Sequence, residues 1–250
     1  MTCIFASDLH LSGTRPAQIA LFESFLVRAS KVTDSLYLLG DLFELWLGDD
    51  DDSDSHPKVM RALREFSDSG TQLFVMHGNR DFLFGPQFVK ESGASLLTDW
   101  HTIDLYGTRT LLTHGDLLCT KDVQYQQFRK YVRDPGNQKT FLGHPLHERR
   151  KIAAKTQHAT KASMLEKDDF IMDVDQITVE QVMSDYDVAR LIHGHTHRPA
   201  THTFVTKGRT RERVVLGDWY EDSSVVVCNH RGLNRLSAAE FVATTDNLHH

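Results

Sequence analysis

The sequence contains little cysteine and no long apolar run. Cys3, Cys119 and Cys228 are widely spaced in a chain of 250 residues, which predicts a reducing compartment rather than a disulfide framework. No stretch approaches the roughly 20 consecutive apolar residues that a membrane-spanning helix needs. The first residues lack the basic segment of a signal peptide, and Asp8 interrupts the first apolar run. We therefore expect a cytoplasmic protein.

Basic residues are too few for general electrostatic capture of nucleic acid. Lys and Arg number 28 against 34 Asp and Glu, which gives a formal net charge of -6, and we expect no nucleic-acid partner. The basic residues are uneven, because residues 129–167 form a basic segment in an otherwise acidic protein. The acidic run at residues 49–54 is predicted to be a solvated loop.

Alternating strand and helix patterns organise the first part of the chain. Short apolar runs at 2–6, 35–39 and 72–76 predict buried strands, and apolar positions at helical spacing after Pro16 and Pro57 predict helices between them. This order predicts a parallel sheet covered by helices. A mostly helical stretch is predicted at about residues 121–184. Shorter strands are predicted on both sides of it, near residues 101–106, 109–113, 189–193, 201–205, 213–216, 225–228 and 233–236.

These patterns predict an α/β fold made of one domain with an insertion. We expect the core at residues 1–120 and 185–240, and a helical cap inserted at 121–184. Residues 241–250 are predicted to be a tail, whose final two histidines resemble the remnant of a tag.

Five short polar motifs each follow a predicted strand. Because ligands of open α/β sheets lie at the carboxyl ends of the strands, we expect these motifs to converge. Asp8 and His10 are two residues apart, so an extended backbone would direct both side chains to one face, and His195 and His197 repeat that spacing. The motifs are Asp8-Leu9-His10, Gly40-Asp41, Gly78-Asn79-Arg80-Asp81, His114-Gly115-Asp116 and Gly194-His195-Thr196-His197.

Taken singly, each motif has a plainer interpretation. A histidine pair is often a loop element, Asn79 could be a turn residue beside Gly78, and His114 could be a core histidine. Together, however, they supply carboxylates, an amide oxygen and imidazoles without any cysteine. This mixture of oxygen and nitrogen ligands suits two divalent ions, Mn²⁺ first, with Fe²⁺ or Zn²⁺ as alternatives.

The five motifs in this order resemble those of the calcineurin-like metallophosphoesterases. The resemblance covers most of the chain outside the insertion and implies two β-sheets flanked by helices. It also implies two metal ions that share Asp41. The implied ligands are Asp8, His10, Asp41 and His197 for the first ion, and Asp41, Asn79, His114 and His195 for the second.

One departure narrows the resemblance. The general pattern has histidine after the asparagine, whereas this chain has Arg80, which cannot readily release a proton and would instead bind phosphate oxygens. Arg80 and five other segments together resemble the UDP-2,3-diacylglucosamine pyrophosphatases of lipid A biosynthesis. These segments are residues 40–44, 46–50, 114–119, 171–174 and 191–199. The implied reaction releases UMP and a 1-phosphorylated lipid sugar from a UDP-linked diacylated glucosamine.

This narrower resemblance implies specific roles and a location. Asp41, Asn79, Arg80 and His195 would be catalytic, and Asp81 and Asp116 would orient neighbouring side chains or stabilise turns. The protein would associate with the cytoplasmic face of the inner membrane of a Gram-negative bacterium. The implied substrate contacts are Asn79, Arg80, Asp122, Thr160, Met164, Lys167 and His195.

Two other functions stay open on the sequence. The polar insertion, with Met164 where the family tends to have asparagine, favours a phosphodiesterase or pyrophosphatase that acts on a soluble nucleotide. A non-catalytic scaffold with the same fold would be expected to lose ligands, and none is lost. The insertion's apolar residues would form either an acyl groove or a small core of its own: Phe128, Phe141, Leu142, Leu146 and Ile152.

Overall fold

The computed structural model describes residues 1–165, 173–220 and 223–244, without the side chains of 159–165. The first elements in chain order are β1 (Cys3–Ala6), α1 (Pro16–Val32), β2 (Ser35–Leu38), α2 (His56–Asp68), β3 (Gln72–Met76), α3 (Pro86–Ser92), β4 (Ser95–Leu97), β5 (His101–Leu105) and β6 (Thr108–Leu112). They are followed by α4 (Val123–Arg133), α5 (Pro135–Leu142), α6 (Leu146–Leu165), α7 (Gln176–Asp185), β7 (Arg190–His193), β8 (Ala200–Thr206), β9 (Arg209–Val215), β10 (Ser224–Asn229), β11 (Gly232–Ser237) and α8 (Ala238–Ala243).

The strands form two mixed sheets. The first sheet has the order β11-β10-β1-β2-β3-β4, in which β1 to β4 are parallel. The second sheet has the order β5-β6-β7-β9-β8, and its central strands β6, β7 and β9 are also parallel. The predicted α/β fold with two sheets flanked by helices is confirmed.

The alternation of side chains along the strands explains how the sheets pack. In β1, Ile4 and Ala6 pack with the helices in the larger hydrophobic cluster, which we call the main core. Cys3 and Phe5 point to the opposite face of the sheet. That second face packs against residues of the second sheet such as Leu112, because successive side chains of a strand point to opposite faces. Each sheet therefore buries one face against the other, and their carboxyl ends meet at one edge.

Proline and glycine set the helix bounds. Pro16 and Pro86 begin α1 and α3, and Pro57 lies in the first turn of α2. Gly93 ends α3 in a left-handed conformation, with φ 72°. In the part of the chain that the structure describes, no helix is both long and apolar enough to cross a membrane.

The structure differs from two predicted domain boundaries. Val179 and Met183 of α7 are buried with Leu191 of the second sheet, so α7 packs on the core although it precedes residue 185. The predicted tail starts inside α8, where Phe241 is buried in the main core. Between β6 and α7 lie the helices α4, α5 and α6, which we call the α4–α6 segment.

The acidic run is a loop, as the sequence predicted, but it is solvated only in part. Asp49 accepts hydrogen bonds from the backbone N–H groups of Gly85 and Gln87 at the start of α3. Asp50 and Asp52 form ion pairs with two adjacent arginines of α6, Arg149 and Arg150. These pairs fasten the α4–α6 segment to the core, although the partners lie about a hundred residues apart in the sequence.

Candidate metal centre

The five polar motifs lie together where the two sheets meet. Asp8 and His10 follow β1 of the first sheet, and Asp41 and Asn79 follow β2 and β3. His114 follows β6 of the second sheet, and His195 and His197 follow β7. Their side chains form two adjacent clusters. The structure thus brings together all seven predicted ligands, although they come from both ends of the chain.

The first cluster surrounds one oxygen of Asp8. The Nε2 atom of His197 lies 3.3 Å from Asp8 Oδ1, and the Nε2 atoms of His10 and His197 are 3.4 Å apart. His10 Nε2 also lies 3.8 Å from Asp41 Oδ2. Asp8, His10 and His197 could hold one metal ion, because one ligand atom from each lies within 4.8 Å of the others.

The second cluster surrounds the side-chain oxygen of Asn79. His114 Nε2 and His195 Nδ1 lie 3.0 and 2.9 Å from Asn79 Oδ1. His114 Nε2 is 3.9 Å from Asp41 Oδ1. Asp41 therefore directs Oδ2 to the first cluster and Oδ1 to the second, as a carboxylate shared by two ions would.

Buried polar atoms show that the clusters fit divalent cations. Asp8 Oδ1 is fully buried and makes no hydrogen bond among the described residues, although His197 Nε2 lies only 3.3 Å away. A buried carboxylate oxygen without such a bond is costly. The nitrogens and oxygens around it are separated by 3.3 to 4.0 Å. That is roughly the spacing of neighbouring ligands that each lie about 2 Å from a common ion. The first cluster thus fits a divalent ion, and the atoms of the second cluster have comparable separations of 2.9 to 3.9 Å.

The backbone at the site is left-handed at several ligands. The φ angles are 56° for Asp8, 48° for His10, 52° for Asp41, 70° for His195 and 54° for His197. The extended backbone predicted for Asp8 and His10 was therefore wrong, although both side chains do reach one cluster. Such conformations cost about 1–3 kcal/mol each and persist where the surrounding structure enforces them.

Two glycines allow the strand ends to approach closely. A Cβ atom on Gly78 would lie 2.1 Å from Asp41 Oδ1. One on Gly194 would lie 2.0 Å from Ser7 Oγ and 2.3 Å from Asp8 Oδ2. Larger residues would push both carboxylates out of place, so the sequence needs glycine before Asn79 and before His195.

The electrostatic potential of the first cluster favours positive charge. Burial alone would lower the pKa of His197, but Asp218 and Asp8 outweigh it and raise the pKa to about 10. Burial opposes ionisation of Asp8, yet the surrounding histidines hold its pKa well below the usual range. In the second cluster, burial and then the charge of His114 lower the pKa of His195 to about 4, which leaves a neutral imidazole.

Three of the four imidazoles face, at their outer nitrogen, a group that the sequence did not reveal. His197 Nδ1 lies 3.0 Å from Asp218 Oδ2, and His114 Nδ1 lies 2.9 Å from the carbonyl oxygen of Leu39. His10 Nδ1 faces Glu44 Oε2 at 3.4 Å. Glu44 belongs to the motif that contains Asp41 and could have been noticed, whereas no sequence pattern marks Asp218.

Asp81 and Asp116 orient structure around the ligands. Asp81 accepts hydrogen bonds from the N–H groups of Leu42 and Gly78, so it holds the turns after β2 and β3 together. Its pKa is raised to about 7 by burial and by Asp41. Asp116 accepts hydrogen bonds from Tyr125 and Arg129, which ties α4 to the end of β6.

The predicted substrate contacts are only partly described. Arg80 Nε is buried without a hydrogen-bond partner among the described residues, and the Arg80 backbone N–H donates to Asp41 Oδ1 at 2.8 Å. Asp122 caps α4 by accepting from Tyr125 N. Thr160 and Met164 lie in α6, but their side chains are outside the described set, and Lys167 lies outside the described residues altogether.

Comparison with known proteins identifies the family. The model of the calcineurin-like phosphoesterase family matches residues 1–199. This chain belongs to the calcineurin-like phosphoesterase family. Together with the ligand clusters, membership makes this phosphoesterase a hydrolase that depends on divalent metal ions.

Similar proteins can be aligned with this phosphoesterase over nearly its whole length. The UDP-2,3-diacylglucosamine hydrolase of Vibrio parahaemolyticus is 46% identical over 232 residues, which cover 93% of this chain and 96% of the relative. The enzyme of the same name from Aeromonas salmonicida is 44% identical, with coverages of 92% and 90%. The solved structure of Yfce, a phosphoesterase from E. coli, is 18% identical with a TM-score of 0.50, and the match covers 96% of this chain and 94% of Yfce. Because its identity is low, that likeness concerns the fold alone.

Proposed function

We propose that this phosphoesterase hydrolyses the pyrophosphate bond of UDP-2,3-diacylglucosamine to UMP and 2,3-diacylglucosamine 1-phosphate, with two Mn²⁺ ions. The observation that carries the proposal is the pair of ligand clusters that meet at Asp41 beside Arg80. Relatives named UDP-2,3-diacylglucosamine hydrolase, 46% identical over nearly the full length, support the choice of substrate.

The two clusters would divide seven residues between two ions. The mixed oxygen and nitrogen ligands, with no cysteine among them, favour Mn²⁺. When bound, the ions would supply Lewis acidity that activates water and offsets charge on phosphoryl oxygens. Asp8, His10, Asp41 and His197 would hold the first ion, and Asp41, Asn79, His114 and His195 the second.

Arg80 would bind the substrate phosphates from the protein side. Its Nε–H is buried and has no acceptor among the described residues, so the guanidinium can donate to phosphoryl oxygens. Arginine cannot supply a proton, but the leaving group needs none. A sugar 1-phosphate has a second pKa near 6 and departs as an anion. Replacement of the general family's histidine by Arg80 is therefore compatible with cleavage of an anhydride.

The α4–α6 segment would hold the lipid part of the substrate. It exposes large apolar side chains, including Phe128, Leu142 and Ile152, which are 39 to 41% exposed. These residues would contact acyl chains, whereas Phe141 packs against the main core instead. Exposed apolar residues next to basic ones also suit a membrane surface, so we propose peripheral association with the inner membrane.

A substrate comparison tests this function. Metal-stripped protein is reloaded with Mn²⁺, and release of UMP is measured from UDP-2,3-diacylglucosamine and from the water-soluble UDP-N-acetylglucosamine. We expect efficient release from the diacylated substrate and at least about a hundredfold lower kcat/KM on the soluble one, since the latter lacks the acyl chains. Equal rates on both would favour the soluble-nucleotide alternative. The Asp41→Asn variant, which loses the shared carboxylate, serves as the inactive control.

A further inference from the structure

Three side chains from distant segments surround the outer face of His10. The ring of Tyr220 stacks on the His10 imidazole with centroids 4.9 Å apart, and its hydroxyl donates to Glu44 Oε2 at 2.6 Å. The Arg15 guanidinium lies 4.0 Å from the centroid of the Tyr220 ring. It also donates to Glu44 Oε2 at 3.3 Å and to the His10 carbonyl at 3.0 Å. We call Arg15, Glu44 and Tyr220 the His10 clasp.

We infer that the His10 clasp positions His10 as a ligand and sets the affinity of the first metal ion. This inference rests on the two-ion centre of the proposed function. Glu44 Oε2, already fixed by Tyr220 and Arg15, faces His10 Nδ1 at 3.4 Å. His10 Nδ1 makes no hydrogen bond among the described residues, but the negative charge of the Glu44 carboxylate beside it favours the tautomer with the proton on Nδ1, so that the Nε2 lone pair is directed toward Asp8 and Asp41.

Partial burial strengthens the attraction between the Glu44 carboxylate and His10. The His10 side chain is 3% exposed and that of Glu44 is 33% exposed, so solvent screens their interaction only in part. Stacking by Tyr220 restricts the plane of the imidazole, and the charge of Glu44 favours the rotation that turns Nδ1 toward the carboxylate.

The second cluster is held in a different way. His114 Nδ1 faces the backbone carbonyl of Leu39. The Nδ1 atom of His195 faces Asn79, so it lies on the inner side of the cluster. Neither contact involves Arg15, Glu44 or Tyr220. Loss of the clasp should therefore weaken binding of the first ion and leave the second unchanged. A merely structural role, such as fastening residues 218–220 to the start of α1, would not discriminate between the two ions.

The test is a calorimetric titration of the metal-free full chain with Mn²⁺. Titrations of His197→Ala and His114→Ala assign the two binding steps to the first and second clusters. Glu44→Gln keeps the size of the side chain and removes its charge, and we expect it to weaken the first-cluster step by about 10- to 100-fold, as for other partners of ligating histidines. Glu91→Gln, on the exposed face of α3, is the matched control and should bind as the wild type does.

Tyr220→Phe provides a second, milder variant. It removes only the hydroxyl that holds Glu44 and keeps the stacked ring, so we expect a smaller loss confined to the first-cluster step. If Glu44→Gln does not fold, this variant decides the question.

The possible outcomes separate the clasp from the function on which it depends. The inference about the clasp alone would be overturned if the wild type binds two Mn²⁺ ions and Glu44→Gln and Tyr220→Phe bind each ion with an affinity within about twofold of the wild-type value. Equal weakening of both steps would overturn it as well. A wild-type chain that binds fewer than two ions would instead overturn the proposed two-ion centre, and the clasp with it.

Discussion

Two aspartates of the acidic run form ion pairs with α6 that differ in burial. Arg149 is only 2% exposed and contacts both carboxylate oxygens of Asp50 and the carbonyl of Leu47, with Nη1 2.7 Å from Asp50 Oδ1. Arg150, the next residue, is 45% exposed and pairs with Asp52, which is 75% exposed. We predict that Asp50→Asn loosens α6 strongly and that Asp52→Asn does not.

The magnitude follows from the burial of the two arginines. Asp50→Asn leaves the buried Arg149 guanidinium without its counter-ion, and breaking a buried pair costs about 3–5 kcal/mol. Because the Asp50 side chain is itself 67% exposed, we expect a smaller loss of about 2 kcal/mol, typical of hydrogen bonds to a charged group. The Arg150–Asp52 pair is solvated on both sides, so its loss should be too small to measure.

Native-state hydrogen exchange measures the difference. The amides of α6 should exchange about 25-fold faster in Asp50→Asn, which corresponds to about 2 kcal/mol, while the strands of the first sheet keep their wild-type rates. In Asp52→Asn the α6 amides should exchange within about twofold of the wild type. Equal effects of the two variants, or no effect of Asp50→Asn, would refute the claim that burial of Arg149 anchors the α4–α6 segment.

Three further predictions concern the metal centre and the thiols. Arg80→Ala should lower kcat by about 10²- to 10³-fold at unchanged metal affinity, since it removes a donor to the charged phosphoryl group; a loss below threefold would exclude that role. Chelation should lower the melting temperature, and Mn²⁺ at about 100 times its dissociation constant should restore about 2.7 kcal/mol per site; an unchanged melting curve would argue against bound ions. Burial raises the pKa of Cys119 to about 12 and that of Cys228 to about 11, so at pH 8 both thiols should react with iodoacetamide far more slowly than in urea; equal rates would contradict their burial.

The part of the site that follows the strands could be predicted from the sequence. Asp8, Asp41 and Asn79 each come within a few residues of the end of a buried parallel strand. A short apolar run followed by a polar residue is a local pattern that predicts such a strand end. The topology of a parallel sheet then brings the polar residues to one edge. His114 and His195 follow strands of the second sheet in the same way.

What could not be predicted depends on contacts between distant segments. Tyr220 reaches Glu44 across 176 positions, and Arg149 reaches Asp50 across 99. Nothing in the local pattern of the acidic run distinguishes an aspartate that pairs with a buried arginine from one that faces solvent. The left-handed backbone at Asp8 and His10 was missed for a related reason, because the surrounding structure imposes it on residues that prefer extended conformations.

The central claim is that two dications share Asp41 and activate water against a phosphoric anhydride. An anomalous difference map of crystals grown with saturating Mn²⁺ tests it most directly. We predict two peaks, one beside Asp8, His10 and His197 and the other beside Asn79, His114 and His195, with one oxygen of Asp41 at each. A single peak, or two peaks of which only one contacts Asp41, would contradict the account.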